Sequence, residues 1–129
     1  MIVRIEDHEL VPVPPRPLES RERAILAALS GAAGRNSEAL LCQIHQAEVV
    51  EECVSRCGTL VLSTDEAACP PVMNEKRVPV EGEGTDEDGG RVSVLLHVVN
   101  GWIDSLECFR LDGRHPSGLP SRAAFEVFS

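Results

Sequence analysis

The sequence predicts an α+β domain: two N-terminal helices packed on an antiparallel sheet of about four to five strands ending in a long hairpin. Three observations carry this expectation. Apolar residues recur at helical spacing in two segments between 20 and 47. The pattern changes to β-rich runs between 48 and 64. Asn100-Gly101, the pair best suited to a type I′ turn, separates two long strand-like segments, 91–99 and 102–110. A chain of 129 residues with 43% apolar composition fits one domain, 1–129.

Taken in order, residues 1–10 alternate weakly through Ile2, Val3 and Ile5 and suggest an edge strand. Pro12, Pro14, Pro15 and Pro17 remove amide donors, so 11–17 is expected as a strap over the surface. Helix one is expected over about 20–30, capped by Ser20, with Ile25, Leu26 and Leu29 as its apolar stripe and Gly31 and Gly34 ending it. Helix two, about 37–47, has Asn36 and Ser37 as caps. Leu40, Leu41 and Ile44 form its apolar face, with Glu38 and Gln43 toward water.

Val49, Val50 and Val54, then Gly58 and Thr59–Thr64, predict two antiparallel strands, with Glu48, Glu51 and Glu52 flanking a solvated edge. Residues 65–76, with Cys69-Pro70-Pro71, are expected as loop, 77–80 as a short edge strand and 81–90 as an acidic loop. In the hairpin, counting outward from the turn pairs Val99 with Trp102, His97 with Asp104, Leu95 with Leu106 and Val92 with Phe109. The same count sets Val94 against Glu107 and Leu96 against Ser105, a poor half-buried face, which points to a bulge near 103–106. Asp112-Gly113 turns the chain, and Phe125, Val127 and Phe128 are expected to anchor an irregular tail to the core.

The formal charge is -9, and the second half holds twelve acids against six Lys and Arg. With a single Lys and no basic run, nucleic acid and anionic membrane are disfavoured as partners, whereas a basic protein is favoured. The chain lacks an apolar run long enough to span a bilayer, and its acidic start does not match a secretory signal, so a cytoplasmic location is expected. Five cysteines at 42, 53, 57, 69 and 108, odd in number and irregularly spaced, suggest reduced thiols, although Cys53 and Cys57 could pair across a tight turn.

Several constellations fall short of a chemistry. Asp86, Asp88 and Gly89 lack the third spaced ligand and distal Glu of a calcium loop. Cys42, His45, Cys53 and Cys57 lack the paired knuckles of a zinc site. Gly82, Gly84, Gly89 and Gly90 lack the Lys, hydroxyl and following helix of a phosphate loop. His97 opposite Asp104, with Cys108 further along the same face, would be the pair for acid–base chemistry; a cross-strand hydrogen bond explains His97 more simply. His8, His45 and His115 stand alone. No catalytic residue, cofactor or metal is expected, and the chain is not read as an enzyme.

The run Leu95-Leu-His-Val-Val-Asn-Gly-Trp-Ile-Asp-Ser-Leu-Glu107, continued by Phe109-Arg-Leu-Asp-Gly113, resembles a C-terminal signature of small bacterial proteins of uncharacterised function, with "LHV, turn glycine, LE, R-x-DG" as its pattern. Arg21-Glu-Arg23 and Leu40-Leu-Cys-Gln-Ile44 are also similar, and Ser105 departs from the pattern, where a second Glu would be expected. In size, charge and style the chain resembles immunity proteins that neutralise toxins of contact-dependent or type VI secretion systems. That resemblance implies a cognate toxin with a basic face as partner. The residues expected to engage it are Glu81, Glu83, Asp86, Glu87 and Asp88, with Asp104 and Glu107 of the hairpin. The alternative is a small-ligand or metal-responsive module built on the cysteine and histidine cluster.

Overall fold

A computed structural model describes residues 9–73 and 80–128. The expected strand over 1–10 and most of that over 77–80 lie outside the described residues, as does His8. Among the described residues seven strands form one antiparallel sheet in the order β1-β2-β3-β6-β5-β4-β7, and two α-helices cover one of its faces. The strands are β1 (Leu10–Pro17), β2 (Glu48–Cys53), β3 (Leu60–Ser63), β4 (Val80–Thr85), β5 (Arg91–Val99), β6 (Trp102–Phe109) and β7 (Glu126–Phe128). The helices are α1 (Ser20–Gly31) and α2 (Ser37–Gln46). The class remains α+β, but the expected four to five strands were too few. The strap, the acidic loop and the tail each contribute a strand.

Each addition has a physical reason. β1 tolerates four prolines because it is an edge strand, where half the amides face away from the sheet, and because its register slips between Pro12 and Arg16. β2 is therefore not the edge: β1 pairs along it, and the Glu52 carboxylate accepts from Arg16 Nε at 2.8 Å. In β4, glycines alternate with acids. Gly82 and Gly84 face the core, and a Cβ on either would collide with Phe125 or Pro120, so the missing side chains make room for the tail. β7 then pairs with β4, setting Glu126 beside Glu83 and Phe128 beside Glu81. Phe125 anchors the core as expected, but Phe128 lies on the other face, 43% exposed.

The helices pack with Ile25, Leu26, Leu29, Leu40 and Ile44 buried against Val92, Val94, Leu96 and Leu106 of the central strands. α1 starts at Ser20 as expected, but Ser20 is not its cap. Glu19 is its N-cap, and the Glu22 carboxylate accepts from the Glu19 amide at 2.8 Å while Arg16 grips it with two nitrogens. Asn36 does not cap α2 with its side chain; it exchanges two hydrogen bonds with the Met73 backbone. Leu41 points outward and Gln43 inward, reversing the expectation for both. Gln43 is fully buried, and its carboxamide donates to the Pro70 and Gly101 carbonyls and accepts from the Ile103 amide.

The hairpin has the type I′ turn, with positive φ at Asn100 and Gly101. Val99 pairs with Trp102 as counted, and a bulge at Asp104 then shifts every later pair. His97 opposes Ser105, Leu95 opposes Glu107, Leu96 opposes Leu106, Val94 opposes Cys108 and Ser93 opposes Phe109. The unbulged pairings of His97 with Asp104, Leu95 with Leu106 and Val92 with Phe109 are corrected.

The expectation of five reduced thiols is corrected too. Cys42 on α2 and Cys69 in the loop after β3 form a disulfide with Cα atoms 5.8 Å apart, while Cys53, Cys57 and Cys108 lie buried outside any disulfide. Alkylation of the denatured, unreduced protein should label three thiols, and five after reduction. Closing a loop of this length restricts the unfolded chain by about 3.5 kcal/mol, so reductant should lower the urea midpoint accordingly. Five labelled thiols before reduction would remove the bond from the fold. Separately, Gly82→Ala should cost about 1–3 kcal/mol in unfolding free energy, because the new methyl must displace Phe125.

Candidate functional site

The acidic segment is held by one arginine. Arg110 follows β6, and its side chain is only 5% exposed. Its guanidinium reaches Asp86 at 3.0 Å, Asp88 at 2.8 Å and Asp112. Gly90 lies so close that a Cβ there would enter the guanidinium. The Asp86 carboxylate also accepts from the Glu87 and Ser117 amides, and the Asp86 amide bonds the Gly90 carbonyl at 2.7 Å. The turn at 86–90 is thus closed on itself and fastened to both β6 and the tail. The Arg110-x-Asp112-Gly113 run carries this fastening, with Gly113 at φ +82 completing its own turn.

Burial pushes the Asp86 carboxyl up, but hydrogen bonds from Glu87, Arg110 and Ser117 outweigh it and leave the carboxyl below 3.8. Arg110 chiefly lowers Asp88 and Asp112 as well. The three aspartates in turn raise Arg110.

The structure divides the expected partner-binding residues into distinct environments. Asp86 is structural, its side chain 5% exposed, and Asp88 is shared between Arg110 and the exposed Arg114. Glu87 is exposed on the turn. Glu81 and Glu83 belong to β4 and project from the sheet face opposite the helices, where Glu83 pairs with Arg91. Glu126 joins them across the β4–β7 register, with exposed Phe128 beside Glu81. Neither Glu126 nor Phe128 was expected in the site. The alternation of Glu81-Gly-Glu-Gly-Thr85 with period two was the signal that this stretch is a strand able to accept a neighbour.

Asp104 and Glu107 do not join this surface. Asp104 lies six residues from Arg110 along β6, roughly 20 Å at strand rise. It lines a notch with Trp102, Glu66 and the end of β3, where β3–β6 pairing stops at Ser105. Glu107 is fully buried and bonds His97 Nε2 at 2.8 Å. His97 therefore pairs with Glu107, and Cys108 faces the helices on the other side of the sheet, which separates the residues considered for acid–base chemistry. Burial pushes the Cys108 thiol well up, toward the unreactive neutral form. Among the described residues no cluster of three or more His, Cys, Asp and Glu is arranged to hold a metal ion. No helix there is long and apolar enough to cross a membrane.

The chain belongs to the family described as "Domain of unknown function (DUF6984)", whose profile matches residues 15–118. That span runs from the end of β1 through the hairpin and the Arg110 turn. No curated protein and no solved structure matches the chain significantly.

The clasp predicts a signed pH response. Asp86, Asp88 and Asp112 are lower in the folded protein than their ordinary 3.8, so their stabilisation is complete above that value and is lost as pH falls through the lowered folded values. Arg110→Gln should lower the melting temperature at pH 7 by roughly 5–10 °C and flatten the acid limb below pH 4. Parallel acid limbs in the two proteins would show that Arg110 does not hold the carboxylates.

Proposed function

We propose that this chain is an immunity-type protein that binds and neutralises a cognate bacterial toxin domain through an acidic surface. The observation that carries the reading is the β4–β7 face. Glu81, Glu83 and Glu126 stand on two adjoining strands around an exposed aromatic, Phe128, with Glu87 on the fastened turn beside them. Aromatic anchors ringed by charge are favoured at protein interfaces, and carboxylates there can take arginines in two-pronged fashion. The clasp at Arg110 favours the same reading, because a surface ordered before binding loses less entropy on association. The net charge of -9 adds long-range attraction to a basic partner.

The decisive experiment pairs the chain with the product of the gene immediately upstream. That product should arrest growth when expressed alone, and co-expression of this chain should relieve the arrest and yield a complex on gel filtration. A harmless product, or a toxic one neither bound nor relieved, removes the reading. With an authentic partner, the triple variant E81K/E87K/E126K should slow association by about tenfold or more at low salt and reduce its salt dependence, with a smaller change in dissociation. Phe128→Ala should act mainly on dissociation. Stopped-flow measurements at two ionic strengths separate the two effects.

A further inference from the structure

A cleft of about 430 Å³ opens between the start of α1, the β2–β3 turn and the tail at Gly118-Leu119. Its walls carry three arginines and three glutamates, but their hydrogen-bonding capacity is unequal. Glu22 is taken by Arg16 and the Glu19 amide, and Glu52 is taken by Arg16. The Glu19 carboxylate accepts the Glu22 amide at the helix start. Arg16 spends its donors on Glu22, Glu52 and the Pro17 carbonyl. Arg21 donates to the Leu119 carbonyl at 3.3 Å and forms no ion pair among the described residues. Arg56 has no side-chain hydrogen bond or ion pair among them. In a chain with a large excess of acid, the cleft holds two arginines outside any ion pair among the described residues, Arg21 and Arg56, against one such carboxylate, Glu19.

The backbone at Arg56 gives a second, independent observation. It holds φ +59, one of two non-glycine residues among those described with positive φ; the other is the hairpin Asn100. Glycine or asparagine would occupy that conformation with less strain, so the turn retains an arginine against its local preference. Gly58, two residues on, packs so tightly on the Gly118-Leu119 backbone and Cys108 that a Cβ there would collide with them. The turn and the tail are therefore locked against each other, which fixes the mouth of the cleft. Thr59 sits on the floor, its hydroxyl bonded to both the amide and the carbonyl of Cys108.

We propose that this cleft binds a small anionic metabolite, with Arg56 and Arg21 gripping its carboxylate or phosphate group. The volume suits a compact molecule, and the two-pronged guanidinium fork matches a pair of oxygens on either anion. The site is separate from the acidic face and does not depend on the toxin-binding reading.

Amide NMR titrations with inorganic phosphate and with succinate, at constant ionic strength, test it. Saturable shifts centred on residues 19–22, 53–60 and 117–119 are expected with one or both. Phosphate alone points to a phosphoryl ligand, succinate alone to a dicarboxylate. Arg56→Gly should reduce affinity at least tenfold while leaving the melting temperature unchanged or higher, since it removes the charge and relaxes the turn. No saturable shift with either anion overturns the proposal, and so does an Arg56→Gly protein that binds as the parent does.

Discussion

The extra residue that Asp104 inserts into β6 fixes which side chains of the middle strand meet the helices, and its neighbours on both sides follow from that choice. Without the bulge, Glu107 would share a face with Val94, and Ser105 with Leu96, putting a carboxylate and a hydroxyl into the apolar layer. With it, Leu106 and Cys108 enter that layer, and Leu60 of β3 stacks beside Leu106. The polar set is moved to the other face, where Glu107 meets His97. A bulge also interrupts the ladder, and beyond Ser105 β6 has no pairing to β3. The amide of Ile103 falls in this gap and bonds the buried Gln43 carboxamide, so α2 does there what a strand would otherwise do.

The charge of the chain divides along the same lines. Several acids are taken up by two arginines: Asp86, Asp88 and Asp112 by Arg110, and Glu22 and Glu52 by Arg16. Each arginine links segments distant in sequence, Arg110 joining the β4–β5 turn to the end of β6 and Arg16 joining β1, α1 and β2. A formal charge of -9 therefore overstates how much negative surface is free to meet a partner. What remains free is set by strand position rather than by local density of acids, since the densest run contributes its most central aspartate to the clasp.

Local signals in the sequence reached as far as local physics does. The Asn100-Gly101 turn, the two helices, the antiparallel β2–β3 pair and the need for a bulge could all be read from residue types and spacing. The strands that escaped notice are those whose residue types become acceptable only in their tertiary setting. Proline argued against β1 until an edge position made it acceptable, and glycine argued against β4 until the tail filled the space. Gln43 and Leu41 were exchanged because polarity alone predicted exposure, while the chain needed an amide bridge at that point of α2. The disulfide joined the two cysteines that spacing gave no reason to pair. Of the expected binding residues, Glu81, Glu83 and Glu87 hold positions on the proposed surface, whereas Glu107 is buried, Asp104 is at the far end of the hairpin, and Asp86 serves the clasp.

The proposed surface exists because two side chains are absent. Gly82 and Gly84 let Phe125 and Pro120 lie against β4, and this close approach brings the last residues of the chain into hydrogen-bonding reach of its edge. Once β7 is paired, strand alternation leaves no choice: Phe125 and Val127 turn toward the helices, and Glu126 and Phe128 turn the other way, beside Glu83 and Glu81. Because the carboxylates and the aromatic stand on paired strands, their spacing is fixed by the sheet rather than by a loop, which favours a defined complement over a diffuse attraction. A larger residue at 82 would thus act on binding through the packing of Phe125, without touching any group on the binding face.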